Sequence, residues 1–338
     1  MMVVGAAVLA LLLVGVLYQR IGAQRSQRAP IGTLIDVGGH RLHVNCAGAG
    51  SPLVLFEAGI AASSLSWALV QPAIARFTRV CAYDRAGLAW SDPPSSPRTF
   101  TQIVDELGRV LAQVGSGEPC VLVGHSFGSF VVRGYAARYP DRVIGLVLVD
   151  PPTEWLTMTP QRLRTIRRGR RLSRVGGWLA HVGVVRACLA LLTGGAPGAP
   201  RGLVKVLGPT AARTLERLVG EVRKLPPEVH PMVQEAWCQP KCYRAMAAHM
   251  RVLEMEGTVI AAMLPPPAIP TVVISSGNNA PEQIAEHRAL ASRSADARHV
   301  IANRSSHWVQ FDEPELIVDA VKELVDRHEV RSVHGDAR

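Results

Sequence analysis

The stretch Val121-Leu122-Val123-Gly124-His125-Ser126-Phe127-Gly128 limits what this chain can fold into more than any other. Its β-branched and aliphatic start reads as a buried strand, and a helix-like segment follows from Ser129 through Tyr139. Strand, sharp turn and helix in succession leave a serine at the apex. Small residues two before and two after it let strand and helix approach closely, and the turn lifts the hydroxyl out of the sheet. The helix N-terminus behind it favours developing negative charge. A lone Gly-x-Ser-x-Gly recurs by chance and would otherwise mark only a glycine-rich turn. Here the flanks supply the strand–turn–helix context that the chemistry needs.

Around this stretch strand and helix alternate. Thr33–Val37 and Arg41–Asn45 read as short strands joined by Gly38-Gly39, and Pro52–Glu57 as a third strand. A helix is expected over Leu65–Arg76, a strand over Thr78–Asp84, a helix over Phe100–Val114 and a strand over Val143–Asp150. Continuous apolar runs of this kind mark strands covered on both faces of a parallel sheet. Strand and helix resume with Thr271–Ser276, Pro281–Ser292, Arg298–Ala302 and Pro314–Arg327. Residues 151–267 carry no convincing strand; they hold helical stretches broken at Gly194-Gly195, Pro197, Pro226-Pro227 and Pro240, and close at Pro265-Pro266-Pro267. The expected organisation is a core of 29–150 and 268–330 with a helical cap of 151–267 inserted between two strands. Residues 1–28 precede it as an anchor and basic linker, and 331–338 follow as a disordered tail.

Charge is unevenly placed. The net charge is +10, and 151–267 holds 17 Lys and Arg against 7 Asp and Glu, so the rest of the chain is balanced. Seven arginines crowd Arg162 to Arg174. Such a face suits anionic lipid, an acidic substrate or nucleic acid, or is a solvated helix surface; of these, a nucleic-acid partner is not expected. Met2 to Tyr18 is an uncharged, mostly aliphatic run of 17 residues. As a helix it would span roughly 26 Å, near the lower limit for crossing a bilayer. No Lys or Arg precedes it and no good cleavage site follows, so it reads as a single-pass anchor and not as a signal peptide. Arg20, Arg25 and Arg28 on its C-terminal side would put the soluble domain in the cytoplasm. Cys81 and Cys120 fall in expected strands as small buried hydrophobes, and Cys238 with Cys242 lacks the second pair that a metal site needs.

Four blocks in order carry a family resemblance. Gly124-His125-Ser126-Phe127-Gly128 matches a nucleophile elbow; Glu57-Ala58-Gly59-Ile60 lies where an oxyanion loop would; Tyr83-Asp84-Arg85-Ala86-Gly87 with Trp90-Ser91-Asp92 matches the loop after the fourth strand; and Ser306-His307-Trp308 precedes a Pro-Glu-Leu helix. From about Ile31 to Arg327 the chain resembles the α/β-hydrolase superfamily, in its serine-nucleophile branch with a helical cap. The resemblance implies an α/β fold: a mostly parallel eight-stranded sheet, helices on both faces and an inserted helical cap. It also implies an oxyanion hole from the backbone N–H groups of Ile60 and Phe127, with Ala58 where histidine is common.

The residues themselves suggest the chemistry. A serine hydroxyl needs a base within hydrogen-bond reach. His307 follows the last strand in a polar loop and so emerges on the same sheet edge as Ser126, whereas the side chain of His125 is expected to point away. The third member is expected to be Asp150, at the end of the strand after the nucleophile strand, where haloalkane dehalogenases of the superfamily place their acid. The usual acid loop offers only Asn278, Asn279 and, next in order of preference, Glu282. Asp84 and Arg85 read as a buried ion pair or loop clamp, and Trp67, Trp90 and Trp308 as packing. The expected activity is serine hydrolysis of a small-molecule carboxylic ester through an acyl-enzyme, with neither metal nor organic cofactor. A thioesterase, a carbon–carbon bond hydrolase and a non-catalytic membrane-tethered binding protein are the alternatives.

Overall fold

The computed structural model describes residues 2–25, 30–115, 117–152, 159–193, 217, 219–262 and 268–335. The strands are β1 (Thr33–Asp36), β2 (Arg41–Ala47), β3 (Val54–Glu57), β4 (Val80–Tyr83), β5 (Cys120–His125), β6 (Val143–Val149), β7 (Thr271–Ser276) and β8 (Ala297–Ala302). They form one sheet in the order β1-β2-β4-β3-β5-β6-β7-β8. Pairing is antiparallel from β1 to β2 and from β2 to β4, and parallel everywhere else.

The period-2 rule explains why β3, β5 and β6 read as unbroken apolar runs. Leu55, Leu122, Leu146 and Leu148 face one core layer, and Val54, Phe56, Val121, Val123, Val147 and Val149 face the other. Each layer is then closed by helices. Burying one such side chain contributes roughly 1.5–3 kcal/mol, so both faces must be covered for the strands to persist. The helix α3 (Phe100–Val114) covers the first layer; it starts at a capping box in which Thr99 and Gln102 satisfy each other's backbone N–H groups. The expected helix over Leu65–Arg76 is instead a 3₁₀ turn, Ser64–Trp67, and a short helix α2, Gln71–Ile74. Pro72 sits in the first turn of α2, where its missing N–H is tolerated but cannot continue a preceding helix.

The helix after Ser126 is α4 (Phe127–Arg138). Between β6 and β7 the described residues form α5 (Pro160–His181), α6 (Val184–Thr193), α7 (His230–Cys238) and α8 (Pro240–Ala262). Helices α5 and α8 pack so closely that a Cβ on Gly176 would fall 2.6 Å from the Tyr243 ring. The arginine cluster is partly neutralised, since Arg167 and Arg170 both bind Glu254 at 2.8 Å. After β7 come α9 (Pro281–Ala291), α10 (Val309–Asp312) and α11 (Pro314–Gly335). Helix α11 reaches Gly335, so the expected disordered tail is helical over its first residues, and 336–338 lie outside the described residues. The breaks expected at Gly194-Gly195, Pro197 and Pro265-Pro266-Pro267, and Arg28 of the linker, also lie outside them.

Two further sequence expectations are corrected. Helix α1 (Met2–Arg25) does not stand clear of the fold. Gly15 backs onto Val182, whose carbonyl an added Cβ would meet at 2.3 Å. Gln19 donates to the Cys238 carbonyl at 2.8 Å and accepts from Arg186 at 3.0 Å. Hydropathy registers the aliphatic run but not the small residues that match it to a surface. Among the described residues no single helix is long and apolar enough to cross a membrane; the bent pair α5 and α6, 84° apart, passes by length and composition only. Second, Cys81 is not a free hydrophobe but forms a disulfide with Cys46. The two are directly opposite in the β2–β4 ladder, a pairing that needs the non-sequential strand order. Cys120, Cys188, Cys238 and Cys242 are free and buried.

Candidate active site

Strand register brings the candidate residues to one edge. Glu57 pairs with Gly124 and His125 with Val149. The ladder then runs one residue further, with Ser126 N–H donating to Val149 O at 2.9 Å and Asp150 N–H to Ile274 O at 2.7 Å. Ser126 and Asp150 therefore leave the C-terminal ends of neighbouring strands side by side. Both carry positive φ, 50° at Ser126 and 42° at Asp150. Such strain in a non-glycine residue persists only where its surroundings fix it.

Both glycines of the elbow are required by close approach. A Cβ on Gly124 would lie 2.7 Å from the Gly128 backbone, and one on Gly128 would lie 2.3 Å from the Glu57 carbonyl. This is the packing that the Gly-x-Ser-x-Gly spacing predicts.

Ser126, Phe127, Ile60, Asp150 and His307 line a single cavity of ≈ 390 Å³. His307 Nδ1–H donates to Asp150 Oδ2 at 2.6 Å. That bond fixes the tautomer and leaves Nε2 as the free basic nitrogen. The imidazole is 43% exposed and the carboxylate only 2%. Burial alone would raise the Asp150 pKa. The hydrogen bond and charge of His307, with the Ser276 N–H and Asn279, more than offset it and hold the carboxyl below the ordinary aspartate range. Asn279 Nδ2 donates to Asp150 Oδ1 at 2.6 Å and Ser276 N–H at 3.1 Å. The loop that offers no aspartate of its own thus serves to hold one. Glu282 is exposed on the first turn of α9.

His125 corrects another expectation. Its side chain does not point away; the ring centroid lies 4.7 Å from that of His307. Nε2–H donates to the His307 carbonyl at 2.9 Å, and Nδ1 accepts from Gln310 at 3.2 Å. Burial, then the nearby His307, push its pKa down to about 3. It is a neutral strut under the base's loop, a role that its place beside the serine gives no means to read.

Arg85 is the clamp behind the oxyanion loop. It forms a buried ion pair with Glu57, donates to the Ala58 carbonyl at 2.6 Å and donates to the Gly59 carbonyl. A trans peptide points its C=O and N–H in opposite directions. With the Gly59 carbonyl held by Arg85, the Ile60 N–H of the same peptide is turned the other way. Asp84 has different partners: it accepts from Ser64 N–H at 2.7 Å and contacts His43 Nδ1 at 2.8 Å. Trp67 is fully buried and stacks on Phe56, while Trp308 packs edge-on against His307. No group of three or more metal-ligating side chains occurs among the described residues.

A family model described as alpha/beta hydrolase fold matches residues 52–172. A probable transporter of Hormonema carpetanum, efuK, is 35% identical over 130 residues, which is 36% of this chain and 19% of that protein. The 2-hydroxymuconate semialdehyde hydrolase of Pseudomonas sp. (strain CF600) is 35% identical over 128 residues, 36% of this chain and 44% of that one. The alignments thus span less than half of these relatives. Among solved structures, a putative ancestral haloalkane dehalogenase, AncHLD2, superposes with a TM-score of 0.63 at 21% identity, covering 88% of this chain and 99% of that one. The matched segment, the strand order and the likeness to these structures together show that the chain has the α/β-hydrolase fold.

Proposed function

We propose that this protein is a serine hydrolase that cleaves a carboxylic ester through an acyl-enzyme. The observation that carries the reading is the 2.6 Å bond from His307 to a buried Asp150 in the cavity that Ser126 lines. Ser126 Oγ attacks the carbonyl carbon while His307 Nε2 takes its proton. The oxyanion accepts hydrogen bonds from the Ile60 and Phe127 N–H groups. Collapse breaks the bond to the alkoxide, which leaves with the proton held by His307. Water, deprotonated by His307, then attacks the acyl-enzyme and releases the acid. Asp150 stabilises the imidazolium in both halves. A thioester, or a carbon–carbon bond beside a ketone, could be cleaved by the same groups. Serine at 126 speaks against dehalogenase and epoxide hydrolase chemistry, which use aspartate there. Labelling by a fluorophosphonate that Ser126→Ala abolishes tests the reading and separates it from a binding protein on this fold.

Lipid is proposed as the partner of α1. Its Leu9, Leu11, Leu13, Val14 and Leu17 are exposed, as are Leu172, Val175 and Trp178 of α5. Arg168, Arg171 and Arg174 are exposed beside the last three and would favour an anionic leaflet. The Cys46–Cys81 disulfide favours an oxidising compartment over the cytoplasm that the flanking arginines suggest. It weighs more, because a short helix with few flanking charges inserts in either direction.

A further inference from the structure

Next to the Ser126 pocket lies a second cavity, of ≈ 160 Å³, between core and cap. Its walls are almost wholly apolar; Ala61, Leu88, Val233, Met246, Trp308 and Phe311 are among them. It adjoins the chemistry at two points of the chain. Ala61 follows Ile60, and Trp308 follows His307, with their rings 5.9 Å apart. One helix roofs both spaces: Met246 of α8 faces this chamber and Met250 the Ser126 pocket. Those residues are one helical turn apart, about 6 Å along the axis.

We infer that this chamber holds an aliphatic chain of the ester, about six carbons long. An apolar cavity of about 150 Å³ takes up a six-carbon hydrocarbon, so a chamber this size and this apolar suits a chain of that length. One end leads on: Ala89, Leu189 and Ala236 also line a groove of ≈ 590 Å³ beside α1. Arg25, Arg186, Glu235 and Gln239 make that groove polar. A longer chain can extend into it with a smaller gain per carbon, because about half of its lining is polar. The inference rests on the serine hydrolase reading and adds the class of substrate.

The test uses the full-length protein, p-nitrophenyl esters from acetate to decanoate, and acetates of butanol, hexanol and octanol. In one series kcat/KM rises by about fourfold per buried methylene up to about six carbons, then less steeply. Met246→Trp and Ala236→Leu, on different helices, each fill the chamber, and each lowers the hexyl-to-shortest-chain ratio at least tenfold. A flat profile in both series, or a ratio unchanged within twofold in both variants, overturns the inference. A catalysis-free arm keeps it separate from the reading on which it rests. Calorimetric binding of hexyl acetate to Ser126→Ala protein should be lost when Met246→Trp is added. If binding persists, the chain lies elsewhere, whatever the status of Ser126 as nucleophile.

Discussion

Asp150→Asn keeps the shape of the side chain and removes its charge. In the wild-type protein the carboxylate faces the His307 ring at 2.6 Å and is only 2% exposed, while the imidazole is 43% exposed, so water screens the pair from the histidine side and an effective dielectric constant near the surface value applies. Two unit charges 4 Å apart at an effective dielectric constant of 20 attract by about 4 kcal/mol, which is roughly a thousandfold in rate. The amide also lets His307 take the wrong tautomer, and the same change in another serine-hydrolase fold costs about 10⁴. The expected fall in kcat on an activated ester is therefore about 10³ to 10⁴. KM should move little, because the lost interaction is with a charge absent from the ground state. Glu282→Gln, exposed on α9, should stay within about twofold. Stopped-assay kinetics on p-nitrophenyl butyrate would measure both. An Asp150→Asn enzyme within tenfold of wild type, or an equal loss from Glu282→Gln, would refute the assignment.

Arg85→Lys should lower kcat by about 10² with a small change in KM, because lysine cannot hold the Glu57, Ala58 and Gly59 oxygens together and one oxyanion donor is worth 10²–10³; a normal kcat would make Arg85 a packing residue only. Stability should fall as pH drops from about 6.5 towards 3, since burial depresses the His125 pKa to about 3 and the unfolded chain takes up the proton first. His249 and His287, also depressed by burial, add to the same slope, and urea melts between pH 7 and 4 that show no loss would contradict it. Protein lacking residues 1–29 should leave the membrane fraction and melt at lower temperature, since Gln19 no longer binds the cap; retention in membranes equal to the full chain would rule out α1 as the anchor. Alkylation under non-reducing conditions followed by peptide mass analysis should find Cys46 joined to Cys81, whereas six free thiols would return the domain to a reducing compartment.

The sheet was legible because strands covered on both faces need unbroken apolar runs, as Val121–Val123 and Val143–Val149 show. The grouping of Ser126, Asp150 and His307 was legible for a related reason. Each follows the C-terminal end of a strand, and parallel strands bring those ends to one edge. What sequence withheld depends on contacts between distant segments. The Cys46–Cys81 bond needs β2 placed antiparallel beside β4. The bond from Asn279 to Asp150 spans 129 positions. The docking of Gly15 on Val182 needs a cap surface that hydropathy does not describe. The His125 side chain was misjudged because strand alternation gives a face, not the loop that later covers it.

The central claim is that the Ser126 hydroxyl attacks the substrate with His307 as its base. The most direct measurement is mass analysis of the full-length protein after reaction with a fluorophosphonate, with the modified peptide sequenced. The account predicts one adduct, on Ser126, formed at least a hundredfold more slowly in His307→Ala protein and absent in Ser126→Ala protein, with ester turnover lost in step. An adduct on another residue, or ester turnover that survives Ser126→Ala within twofold, would contradict it.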